Sequence, residues 1–121
     1  ILLYEKGKPV AIYDPNKKDY DHIESFKSSI DAKLGKLPST HKQWKDIVGN
    51  KKKDELLKTY FNELKPLNTM GAKLAKEYHI NSKNIGLGLV KDGISDNDEN
   101  VNTVMLTGFF HAYGPINNFL D

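Results

Sequence analysis

The chain has 121 residues, 28% of them charged and 38% hydrophobic, with a formal net charge of +2. That length suits one α+β domain, 1–121, with a real core; the composition argues against disorder, and no apolar run approaches the ~20 residues of a membrane span. Cysteine is absent, which removes disulfides, thiolate zinc sites and cysteine nucleophiles together.

All 18 basic residues are lysine. Guanidinium forks are the preferred readers of guanine and phosphate, and here lysines alternate with 16 acids without forming a basic face. The expectation is therefore no nucleic-acid binding. The chain opens at Ile1 without a methionine. Together with the lack of cysteine, this predicts an extracytoplasmic location, secreted or membrane-anchored through a segment upstream of Ile1.

Ile1 to Tyr4 and Val10 to Tyr13 flank a Gly7 and Pro9 turn and read as a β-hairpin, ended by Asp14-Pro15-Asn16. From Asp19 the period changes. Ile23, Phe26, Ile30 and Leu34 fall on one helical stripe, with Asp19 or Asp21 as its cap and Gly35 as its stop. Thr40 with Gln43 forms a capping box before a short helix carrying Trp44, Ile47 and Val48; Trp44 is expected to anchor the core. A third helix runs from Asn50 to about Lys65, with Leu56, Leu57, Tyr60, Phe61 and Leu64 on a broad apolar face. Pro66 ends it. A fourth starts at Asn68, carries Leu67, Met70, Leu74 and Tyr78, and is expected to stop at Asn81 with His79 near its end.

The stretch from Asn84 to Gly114 reads differently. Ile85, Leu87 and Leu89 alternate with Gly86 and Gly88, as in a strand with one bare face that another backbone approaches. Thr103 to Thr107 has the β-branched composition of a second strand, which would pair with the first. Between them Asp96, Asp98 and Asn100 have the opening spacing of a calcium loop, but Val101 stands where glycine is required and Thr107 where a bidentate glutamate belongs. A polar turn is the better reading, so no metal is predicted. Next come Phe109, Phe110, His111 and Tyr113 between Gly108 and Gly114, dense enough in aromatic surface to serve as core or as interface. Ile116, Phe119 and Leu120 are expected to tuck back onto the body.

The resulting expectation is an α+β fold: a small antiparallel sheet from N-terminal and C-terminal hairpins, with about four short helices packed on one face. No P-loop, GxSxG elbow or HExxH occurs, and the four histidines never have local metal-pair spacing, so neither a cofactor nor a catalytic residue is assigned. The functional expectation is a non-catalytic domain that binds another protein, such as the mature part of a bacterial lipoprotein-like accessory protein. Its candidate binding residues are Phe109, Phe110, His111, Tyr113, Asp96 and Asp98. The alternatives are an inhibitor or immunity protein of an enzyme or toxin, acting through the acidic loop, and a small enzyme using His111 with a carboxylate.

Overall fold

The computed structural model describes all residues, 1–121, and the α+β class holds, with one three-stranded antiparallel sheet and five helices. No helix is long and apolar enough to cross a membrane. The chain forms two compact units, Ile1–Lys36 and Leu37–Asp121.

The first unit is a meander, β1 (Leu2–Glu5), β2 (Lys8–Asp14) and β3 (Asp19–His22), followed by α1 (Ile23–Leu34). Lys6 and Gly7 both have positive φ, as a tight two-residue hairpin requires, so Glu5 pairs directly with Lys8. Asp14 accepts the Asn16 amide at 2.8 Å and so bends the second turn. β3 replaces what the sequence suggested was the helix entry. Asp19 and Asp21 are strand residues, Tyr20 packs edge-on against its cross-strand partner Tyr13 at 5.4 Å, and the helix begins only at Ile23. The α1 helix packs on β2 and β3, and Ala11 in β2 is completely buried.

The second unit contains no strand. It is built from α2 (Trp44–Ile47), α3 (Lys53–Leu64), α4 (Met70–Lys91), α5 (Asp98–Gly108) and an irregular C-terminal segment. The expected C-terminal hairpin is therefore corrected: Ile85 to Leu89 continues α4 through Asn81, and Thr103 to Thr107 lies inside α5. Thr69 caps α4 by accepting the Ala72 amide, and Asn97 caps α5 by accepting the Asn100 amide at 2.9 Å. Asp98 and Glu99 then lie in the first turn of α5, where the helix dipole favours negative charge.

Leu57, Phe61 and Leu64 are the buried stripe of α3, joined in the core by Ile47 and Ala72. Phe61 is the hub. It stacks on Phe119 at 4.8 Å and meets Tyr113, Tyr60 and His79 edge-on, so the C-terminal segment folds back into the core as its apolar residues suggest. Asn102 of α5 grips that segment, donating to the Ile116 carbonyl at 2.8 Å and accepting the Ile116 amide at 2.9 Å. Gly86 explains why α4 tolerates a glycine at its centre: an added Cβ would lie 2.8 Å from Ile116 Cγ1. What lies close to Gly86 is the Ile116 side chain against a helix, not the second backbone expected beside a glycine-bare strand, and the space beside Gly88 is open.

Two further contacts hold the helices in place. The Lys76 ammonium donates to the carbonyls of Lys65 and Leu67 beyond the end of α3. The Glu63 carboxylate accepts from the Thr40 hydroxyl and the amides of Ser39 and Thr40, which lowers its pKa to about 2. Thr40 is therefore bound to α3 and forms no capping box; the Gln43 N-cap of α2 makes no side-chain bond.

Candidate functional site

An apolar groove of about 580 Å³ opens in the second unit. From α4 it receives Tyr78, His79, Ser82, Ile85, Gly86 and Leu89, and from α5 Val101 and Met105. Trp44 of α2 and the segment His111, Ala112, Tyr113 and Pro115 complete it. Tyr78, Ser82, Ile85 and Leu89 are spaced by four, three and four residues. That spacing places them along one face of α4 for three turns, about 16 Å at 1.5 Å per residue.

The groove is open. Tyr78 is 68% exposed, Ile85 67% and Trp44 58%. Trp44 is thus a rim residue, not the core anchor that its chemistry suggests, and its indole N–H donates to the Phe110 carbonyl at 2.7 Å. Phe110 itself has φ of 54°, a strained value for an aromatic residue. No lysine, aspartate or glutamate lines the groove.

His79 is the unusual member. It lies within α4, not at a helix end, and is only 4% exposed. Neither ring nitrogen has a hydrogen-bond partner. The Asn117 side chain favours the protonated ring, yet its amide donates to the carbonyls of Gly114 and Pro115, and its oxygen accepts the Phe119 amide. Burial dominates and lowers the His79 pKa, aided by Lys83 and opposed by Asn117 and Asp121. Burial also raises the Tyr113 phenol.

The predicted site residues separate. Tyr113 joins core and groove, packing on Phe61, His79 and Phe119. His111 is exposed at the groove, with its amide donating to the Met105 carbonyl at 3.1 Å. Phe109 and Phe110 are 65% and 60% exposed just beyond α5 and do not line the groove. Asp96 and Asp98 are exposed where α4 connects to α5, also outside it. Sequence reasoning missed Tyr78, Ser82, Ile85, Leu89 and Met105. The four on α4 carried their signal as one unbroken helical stripe, which the assumed stop at Asn81 and the alternation of Gly86 and Gly88 concealed, while Met105 was hidden by the strand reading of Thr103 to Thr107.

Comparison with protein-family models, curated proteins and solved structures finds no match in any of the three.

Proposed function

We propose that Leu37–Asp121 is a non-catalytic binding module whose groove along α4 receives an apolar segment of another protein. The observation that carries this reading is an uncharged groove, with large apolar side chains left exposed at its rim, in a chain rich in charge. Exposed apolar surface of this kind marks interaction sites, and aromatic anchors supply much of the energy in protein interfaces. A catalytic role for His111 gains no support, because no carboxylate lines the groove beside it. The extracytoplasmic location remains part of the proposal on compositional grounds.

The test is to pan a display library of random 16-residue peptides against the immobilised full chain. An Ile85→Asp chain serves as the comparison, since exposed Ile85 tolerates a charge without loss of fold. The expected result is enriched peptides that lose at least tenfold in affinity on I85D, read through the emission of Trp44, the only tryptophan. Peptides that bind both chains equally, or no enrichment at all, would overturn the proposal.

A further inference from the structure

We infer that the occupant of the groove is an amphipathic α-helix with an uncharged apolar face, lying along α4; this rests on the protein-binding role proposed above. Three observations select a helix from among apolar occupants.

The first is enclosure. The groove follows α4 for about 16 Å, and the Tyr78, Ile85 and Trp44 side chains that border it are each more than half exposed, so it is open along its length. A trough of this shape covers one side of an elongated object.

The second is backbone hydrogen bonding. An extended peptide about 16 Å long would bring roughly five N–H and five C=O groups into the groove, each needing a partner. This unit contains no strand, so no sheet edge can supply them. The Trp44 indole is already committed to the Phe110 carbonyl, and the His79 nitrogens are buried. Ser82, His111 and the tyrosine hydroxyls are too few. A helix satisfies its own backbone and brings only side chains to the contact.

The third is spacing and charge. Tyr78, Ile85 and Leu89 repeat with the helical period of α4, so the trough offers ridges at the spacing into which a second helix packs. Anchors at i, i+4 and i+7 on the occupant span about 10 Å, within the length of the groove. The absence of any charged lining residue requires the inserted face to be uncharged, because a buried unpaired charge is costly.

The 16-residue peptides recovered in the panning provide the experiment. The expected pool has apolar residues at i, i+3 or i+4, and i+7, without charge on that face. A proline at the centre should reduce affinity at least tenfold, and far-ultraviolet circular dichroism should show helix gained on binding. Groove-dependent peptides with alternating apolar residues, or peptides indifferent to the central proline, would overturn the helical occupant and leave the protein-binding role standing. An empty selection would remove both. Sedimentation of the full chain closes the remaining route: a self-association that I85D abolishes would make a second copy the occupant and overturn the inference.

Discussion

Replacing Gly114 by alanine should lower the melting temperature by about 6 °C, for a reason visible in a single contact. A Cβ on Gly114 would lie 2.5 Å from the Asn102 Cβ and closer still to its carboxamide. Asn102 cannot retreat freely, because its carboxamide holds both the amide and the carbonyl of Ile116. Losing two part-buried hydrogen bonds at about 1 kcal/mol each, or retaining them with an overpacked contact at about 1–3 kcal/mol, leads to a similar cost. The reduced entropy of an alanine-containing unfolded chain returns about 0.4–1 kcal/mol. The net loss is about 1–1.5 kcal/mol, equivalent to roughly 6 °C for a small domain. Thermal unfolding followed by far-ultraviolet circular dichroism measures it. The decisive arm is the double-mutant cycle with Asn102→Ala. Once the carboxamide is gone the clash disappears, so the double variant should be no less stable than N102A alone. A melting temperature within about 2 °C of the parent for G114A, or additive losses in the cycle, would refute the account.

His79→Leu should stabilise the fold by about 1 kcal/mol at pH 8. Removing an unsatisfied buried imidazole is worth about 1–3 kcal/mol, set against about 1 kcal/mol of aromatic packing on Phe61 and Tyr113 that leucine does not reproduce. The groups facing this ring are Tyr113, Phe61, Asn117, Lys83 and Asp121, and the folded-state pKa lies below the ordinary 6.5. The unfolded chain therefore binds the proton more readily: the His79 contribution is complete above about pH 6.5 and is lost as the pH falls below it. Denaturant titrations from pH 8 to pH 5 should show that slope diminished in H79L; an unchanged slope would rule the assignment out. Tyr113→Ala should cost about 3 kcal/mol because its ring packs on Phe61, His79 and Phe119, whereas Phe110→Ala, on an exposed side chain, should stay within about 0.5 kcal/mol. Equal losses in chemical denaturation would contradict the separation of Tyr113 into the core.

Much of the helical content was legible because its determinants are local. The α3 stripe of Leu57, Phe61 and Leu64 recurs at helical spacing, and Pro66 marks its end. The first hairpin likewise declared itself through Gly7, although its turn is tighter than the sequence suggested. The α5 start was also written locally, in Asn97 followed by Asp98 and Glu99, but these residues resembled a polar turn between strands. The strand reading of Ile85 to Leu89 failed because five residues alternating with glycine fit either period. Ile85 and Leu89 are equally i and i+4 neighbours.

The sequence by itself determined the α+β class, the buried stripe and C-terminal end of α3, though not its start at Lys53 in place of Asn50, and the return of Phe119 and Leu120 to the core, since each follows from periodicity or from apolar residues that must be buried. Only the tertiary structure decided the functional surface. Glycine is required at position 86 of α4 because Ile116 fills the space where a side chain would be, and that contact joins residues thirty positions apart. The same long-range packing divides the aromatic run, sending Tyr113 inward while Phe109 and Phe110 remain outside. The groove takes its walls from α2, α4, α5 and the C-terminal segment. No local pattern encodes such a site, because the chemistry of each residue is common and only their convergence is specific.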